Sequence, residues 1–352
     1  MRIRIKSILG GTMSWAIVMR HIIDELDDKS DLFLDSINGY NLLNKKYLKR
    51  VKPCFNADLD LTYTIPNNFH TRFNDKSKVK AAIYNYESSI LPEVWRGRHK
   101  SLDYILPSSE FSKNVFLNSG YPESKLVVIP HGVRHDQFCG TGTCLDIDNS
   151  YFNFLNISIP HHRKNIGKLI EAYYLEFSEE DNVCLNIKSS IIKPTKYFEI
   201  NILDEIERVQ KRFDKKLPPI KILTKKYSTM FELYNSCDAL ISTTSGEGFG
   251  LPILEAMASK LLVVAPIQTG QADFLNKHNC IEVMGSYIDS PKEYQYWGPS
   301  SGSKIFMPSI SDIMTKMRQA YNFDKSNMLD KAYACSLNYT WENAARRIVG
   351  LI

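Results

Sequence analysis

A chain of 352 residues with 43% hydrophobic and 24% charged content has the size and balance of a globular protein with two ordinary domains. No apolar run approaches eighteen residues, which argues against a spanning helix, and residues 1–6 alternate basic and apolar as a strand would, with no signal-peptide core behind them. The net charge of +5 sits early: residues 1–140 hold 20 Lys and Arg against 15 Asp and Glu, leaving 24 against 24, so the first half suits anionic lipid or an acidic acceptor.

Residues 3–9 read as the first strand. Gly10 and Gly11 then turn the chain into an apolar-periodic helix carrying Ala16, Ile17, Met19, Ile22, Ile23 and Leu26, and a glycine turn there lets a ligand approach the helix start. Strands follow at 32–37, 59–65 and 79–84. Asp58 and Asp60 have the Asp-x-Asp form that can hold a nucleotide diphosphate through a metal, but the form recurs as Asp146 and Asp148 in a polar linker, so both are read as chance. Residues 103–112 give a short strand, a serine cap and a helix, and residues 120–133 a turn, a strand and a second turn. Gly140 and Gly142 mark a linker over 139–150. A second doubly wound domain then alternates: a strand from Tyr151, a helix opening at Arg163-Lys164-Asn165, strand 183–187, helix 197–213, strand 220–223 and helix 228–235. Residues 287–303 read as a long loop and 339–348 as a capped amphipathic helix. Seven cysteines at 54, 139, 144, 184, 237, 280 and 335, with no CxxC pair, argue for reduced thiols in the cytoplasm. Cys139 and Cys144 are the pair spaced to bridge one loop. No basic run interleaves with aromatics, which argues against nucleic acid.

The chain is organised around residues 243–260. Apolar runs of strand length at 238–242 and 261–265 flank a glycine-rich turn that opens a helix. Gly246, Gly248 and Gly250 let the backbone approach a ligand, and Pro252 suits a first helical turn. The helix start favours an anion. Glu247 lies in the turn and Glu255 one turn into the helix, so the carboxylates can reach hydroxyls on either side of a bound phosphate. That suits a sugar attached to a nucleotide. Lys164, a cation at a helix start, opposes the helix dipole, which favours an anion partner for it.

Glu247-x7-Glu255, with Gly-Phe-Gly-Leu-Pro between, resembles the signature of the family-4 retaining glycosyltransferases of GT-B fold. The likeness extends over most of residues 100–350. It implies an α/β architecture of two Rossmann-like doubly wound domains facing a cleft: an acceptor-side domain over 1–140, a nucleotide-sugar domain over 141–335, and a last helix over 336–352 that returns to the first. It also implies roles. Glu247 contacts the transferred sugar, Gly248, Phe249, Gly250 and Leu251 line the donor, and Glu255 binds the ribose. Lys164 matches the family's Lys-Gly or Lys-Asn step and neutralises the diphosphate. The family's arginine falls near Ser158 or Ile159, a departure that leaves Arg163 as its substitute. Tyr84 to Trp95 resembles a family passage that places Glu87 beside the cleft, while members with a histidine in this region point to His70. Gly11 faces the cleft in the same scheme. His131 and His135, in the passage that closes the first domain, mark a fold position, and Thr269 to Leu275 resembles the family's turn after the motif.

The function so implied is retaining transfer of a hexose from a UDP- or GDP-sugar to a hydroxyl of a glycan, lipid or protein-linked acceptor. No metal and no cofactor beyond the substrate is expected. A cytoplasmic protein with peripheral contact to anionic membrane fits the charge. Two rivals stay open: a sugar-nucleotide epimerase of the same fold, which needs paired acid and base groups, and a non-catalytic binding protein.

Overall fold

The computed structural model describes every residue except 139–141, 191–192, 196–199, 228–229, 296 and 325, and omits the side chain of residue 326. The chain divides into two compact units.

The first unit comprises Met1–Gly132, Gly298–Ser301 and Tyr339–Ile352. Its sheet is parallel, with order β2-β1-β3-β4-β5, from β1 (Arg2–Ser7), β2 (Asp31–Ser36), β3 (Leu59–Tyr63), β4 (Val79–Ile83) and β5 (Tyr104–Leu106). The order reverses between β1 and β3, so the loop after β1, with Gly10 and Gly11, lies at the point where such sheets open a crevice. The helix Ser14–Leu26 buries Ala16, Val18, Met19, Ile22, Ile23 and Leu26. Ile17, expected in that stripe, is half-exposed because it lies about 100° round the helix from Ala16 on the side away from it. The expected strand within 120–133 is reduced to a bridge between Ile105 and Leu126 with single bonds from Val127 N to Ile105 O and Ile129 N to Pro107 O. β5 has only three residues, and Pro107 beyond it has no N–H to extend a ladder. The C-terminal helix Trp341–Val349, capped by Thr340, packs in this unit against Ser14–Leu26.

The Asp-x-Asp pair at the start of β3 is structural. Asp60 is fully buried and accepts from Arg4, the Asn74 amide and the Ser77 hydroxyl. Asp58 accepts from the Arg2 amide and pairs with Lys78.

The second unit comprises Val133–Trp297 and Gly302–Asn338. Its parallel sheet runs β11-β10-β9-β6-β7-β8, from β6 (Phe152–Ile157), β7 (Val183–Lys188), β8 (Ile220–Leu223), β9 (Ala239–Ile241), β10 (Leu262–Ala265) and β11 (Ile281–Glu282). Counted from β6, this is the order 3-2-1-4-5-6 of a dinucleotide-binding fold, with its reversal between β6 and β9. Phe154, Leu185, Ile241 and Val264 from the strands meet Leu169, Tyr173 and Phe177 from helix Ile166–Glu176 in one core.

The expected loop 287–303 begins instead as β12 (Gly285–Asp289), an exposed strand paired antiparallel with β13 (Lys304–Pro308). Lacking a buried alternate row, β12 carries no apolar period to read. Helices Ile310–Tyr321 and Ser326–Ser336 stand where no element was read, although Ile313, Met317 and Ala320 keep a helical spacing on the buried side. The helix expected over 197–213 runs Ile202–Gln210 behind an Asn201 cap, and that expected over 228–235 runs Phe231–Asn235; residues 197–199 and 228–229 lie outside the described residues. Cys54, Cys144, Cys184, Cys237, Cys280 and Cys335 are free thiols, and Cys139, with its pairing to Cys144, lies outside the described residues. Among the described residues no helix is long and apolar enough to cross a membrane.

Candidate functional site

The reversal between β6 and β9 makes the loops leaving these two strands diverge, and both carry residues singled out in the sequence. After β6 the chain passes His161, makes a single 3-10 turn, His162–Lys164, and sets Asn165 in the left-handed region at φ 52° before helix Ile166–Glu176. Arg163 and Lys164 therefore precede the helix and do not open it, as the sequence had suggested. After β9, residues 243–250 are all buried and lead into helix Leu251–Ala258.

A buried loop must satisfy its polar backbone internally, and here the first loop supplies the partners. Ser245 N donates to Arg163 O at 2.7 Å, Thr243 Oγ1 to Lys164 O at 3.0 Å, and Asn165 Nδ2 to Thr243 O at 2.8 Å and Ser245 Oγ at 2.7 Å. Arg163 Nη1 returns the contact by donating to Gly246 O at 2.7 Å. From the other side Glu247 N donates to Thr269 Oγ1 at 3.0 Å and Gly270 N to Glu247 O at 2.8 Å. Gly270 allows that approach: a Cβ there would lie 2.3 Å from Gly248 O. Gly250, the residue before the helix, needs its lack of a side chain for φ 98°.

This double clamp delivers the Glu247 carboxylate onto two cations. Lys164 Nζ hydrogen-bonds Glu247 Oε1, and Arg163 Nη1 stands 3.2 Å from Glu247 Oε2. Burial would raise the Glu247 pKa, but the charges and hydrogen bonds of Lys164 and Arg163 outweigh it and hold the carboxyl down to about 2. The two cations and the carboxylate meet beside the N-terminus of helix Leu251–Ala258. A small pocket opens here, lined by Asn156, Ser158, Lys164, Glu247, Gly250 and Pro252.

Glu255 lies on helix Leu251–Ala258, half-buried, where its Oε2 accepts from Tyr234 Oη at 2.6 Å. Burial pushes its carboxyl up to about 7, against the lowering effect of that hydrogen bond. Phe249 is buried against Phe274, with ring centroids 5.3 Å apart, and so anchors the turn, while Leu251 is half-buried in the first helical turn.

Of the candidates, Arg163, Lys164, Glu247, Gly248, Phe249, Gly250, Leu251 and Glu255 belong to the second unit, and Gly11, His70 and Glu87 to the first. Gly11, at φ 88°, gives its carbonyl to Arg20 Nη1 at 2.9 Å. Glu87 is half-buried in the segment after β4, where Tyr84 and Tyr86 pack edge-on against Trp95. His70 is exposed on a single turn, Phe69–Arg72. His131 is buried between Tyr63 and Trp341, and burial keeps it neutral down to about pH 3.

The sequence reading passed over His161, Tyr234 and Tyr294, and named Asn165 and Thr269 only as parts of a helix start and of a turn. His161 is buried, accepts from Arg163 N through Nδ1 at 3.3 Å and is pushed down to about 3 by burial and the adjacent cations, so it stays neutral. Asn165 carried a usable signal: an alternation of glycine and asparagine after the lysine marks a left-handed residue.

Residues 161–291 match the family model of glycosyl transferases group 1. The probable sucrose-phosphate synthase of Thermosipho melanesiensis is 24% identical over 296 residues, covering 79% of this chain and 61% of its own length, so the chain spans about six-tenths of this curated relative. Among solved structures, the glycosyltransferase from Rickettsia africae superposes with TM-score 0.71 at 16% identity over 99% of this chain and 97% of its own. Anabaena Alr3699/HepE in complex with UDP-glucose gives 0.68 at 15% over 99% and 98%, and the trehalose-6-phosphate synthase OtsA gives 0.70 at 10% over 99% and 98%. The chain has the GT-B fold of these glycosyltransferases and resembles group 1.

Proposed function

We propose that the protein is a glycosyltransferase that moves a hexose from a nucleoside-diphosphate sugar to an acceptor hydroxyl. The observation that carries this is the meeting of Arg163, Lys164 and Glu247 at the β6–β9 reversal beside a helix N-terminus. Breaking a sugar–phosphate bond makes the sugar oxocarbenium-like and adds charge to the departing diphosphate. Lys164 and Arg163 offer fixed positive charge to that diphosphate without a metal or further cofactor, the turn from Gly248 to Leu251 lines the donor, and Glu247 accepts from sugar hydroxyls. Glu255 receives the ribose hydroxyls. A carboxylate held near pKa 2 by two cations is a poor nucleophile, which favours retention through attack on the leaving group's own face over a covalent intermediate on Glu247. The neighbour HepE is described with UDP and with UDP-glucose, which favours a uridine donor over a guanosine one.

The acceptor in this reading is a glycan or a lipid- or protein-linked sugar. Free thiols support a cytoplasmic setting. Residues 37–57 hold five Lys and Arg and no carboxylate, with Leu42 and Phe55 exposed by 68% and 69%, which supports peripheral contact with an anionic bilayer.

A panel of UDP- and GDP-hexoses, read by thermal stabilisation and by release of nucleoside diphosphate without added metal, tests the reading. Stabilisation by one donor with slow hydrolytic release is expected. Conversion of the sugar with no nucleotide released would make the protein an epimerase, and no response to any donor would leave a binding protein of this fold.

A further inference from the structure

The Arg163–Lys164 turn is a single 3-10 turn, which is weak on its own, and it ends on Asn165 in the left-handed region, which few side chains adopt. Something must hold it. Asn165 is 6% exposed, and every polar atom of its carboxamide is engaged: Nδ2 donates to Thr243 O and Ser245 Oγ, and Oδ1 accepts from Tyr294 Oη at 2.8 Å. The orientation of the amide follows from its partners, since a backbone carbonyl can only accept. Tyr294 comes from another single turn, Lys292–Tyr294, in the connection between β12 and β13. Its ring lies against His162, with centroids 6.0 Å apart. Burial pushes the Tyr294 hydroxyl up to about 12, so it remains a donor throughout the neutral range. Tyr294 thus holds the residue that ties the two halves of the site together, since Asn165 ends the cationic turn and its Nδ2 bonds Thr243 and Ser245 in the Glu247 loop.

We propose that Asn165 and Tyr294 form a latch that fixes where Arg163 and Lys164 present their charge, making both of them positioning residues for the donor diphosphate. The proposal rests on the functional reading above only for the identity of the anion. The latch itself is a statement about two loops.

Tyr294→Phe removes the hydroxyl and keeps the ring; Asn165→Gly accepts the left-handed backbone and removes the side-chain bonds. Affinity for UDP and for UMP is measured by calorimetry on both variants and the parent, together with amide hydrogen exchange of residues 161–165 and 243–247. Tyr294→Phe should weaken UDP about five- to tenfold, the worth of one hydrogen bond, and Asn165→Gly more. UMP, which lacks the second phosphate, should change less than twofold, and exchange should quicken only in the two loops. Equal losses for both nucleotides would indicate general loosening and overturn the latch, as would unchanged UDP affinity. If the parent binds neither nucleotide the uridine donor falls, and exchange then decides alone: quickening confined to the two loops upholds the latch, and unchanged exchange overturns it.

Discussion

Each unit contains a buried carboxylate facing an arginine, and the two clusters differ in their charge count. In the first unit Asp60, in mid-strand, meets Arg4, the Asn74 amide and the Ser77 hydroxyl, while Arg4 also stands 3.6 Å from Asp35, which in turn pairs with Lys6. Two cations and two anions balance, and burial leaves the Asp60 pKa raised despite its partners. In the second unit Glu247, beyond the end of a strand, meets Lys164 and Arg163 together, and its pKa falls to about 2. A carboxylate bonded within a sheet stabilises a fold. A loop carboxylate that gathers two cations beside a helix N-terminus suits a place where an anion is received.

Removing Lys164 should have the largest effect on activity, because it turns the second cluster into a one-to-one pair like the first. Lys164→Ala is expected to slow nucleoside diphosphate release at saturating donor by about 10²–10³-fold, the range for loss of one preorganised charge, with a urea midpoint near the parent's. Asp60→Ala should do the reverse. It leaves Arg4 without its buried partner and should cost about 3 kcal/mol in urea unfolding, while donor KM is unchanged. Should Lys164→Ala unfold the protein and spare its activity, the contrast between the clusters would be wrong.

Acid separates them further. Glu247 titrates in the folded state below its ordinary 4.5, so its stabilisation is complete above about pH 4.5 and is lost as pH falls toward 2. Asp60 is shifted the other way, so its contribution is greatest in acid and declines as pH rises past the ordinary 3.8. Parent and Glu247→Gln should therefore converge in stability on acidification to about pH 2.5.

Much of this was legible before any coordinates. The Glu247-x7-Glu255 spacing, the strands around it and the lysine at position 164 are local signals, and each corresponds to an element the chain forms. What the sequence withheld is pairing over distance. Nothing in the residues near 164 says that its anion lies 83 positions later, or that a tyrosine from an exposed antiparallel ribbon reaches Asn165. Asp58 and Asp60 show the reverse error that a motif invites: a metal-binding spelling whose oxygens are taken by Arg2, Arg4 and Lys78. The helix boundary at Arg163 was misplaced because only the fold reveals the left-handed Asn165 that separates turn from helix.

A smaller effect tests the clamp behind Glu247. In Gly270→Ala the new Cβ would meet Gly248 O at 2.3 Å, so the Glu247–Gly248 backbone must shift. Turnover should drop about tenfold, as for a misplacement that leaves the chemistry intact, with Lys164 and Arg163 untouched. Parent-like turnover would mean that the turn tolerates displacement and that Glu247 need not be held so closely.

Glu255 is a third case, a half-buried carboxylate whose partner is a hydroxyl, and it should produce the mildest and most pH-dependent effect. Its folded pKa of about 7 lies above the ordinary 4.5, so the folded state binds the proton more tightly, and the stability this lends is full below pH 4.5 and lost as pH rises through 7. The difference is at most about 3 kcal/mol. Glu255→Gln should therefore melt higher than the parent at pH 8 and match it at pH 4.5. For the ligand the sign is opposite. Ribose hydroxyls donate, so they bind the ionised carboxylate, and parent affinity for UDP should climb a few-fold between pH 6 and 8 while the Gln variant stays flat. A parent profile as flat as the variant's would take Glu255 out of contact with the nucleoside and leave Tyr234 as the reason for its burial.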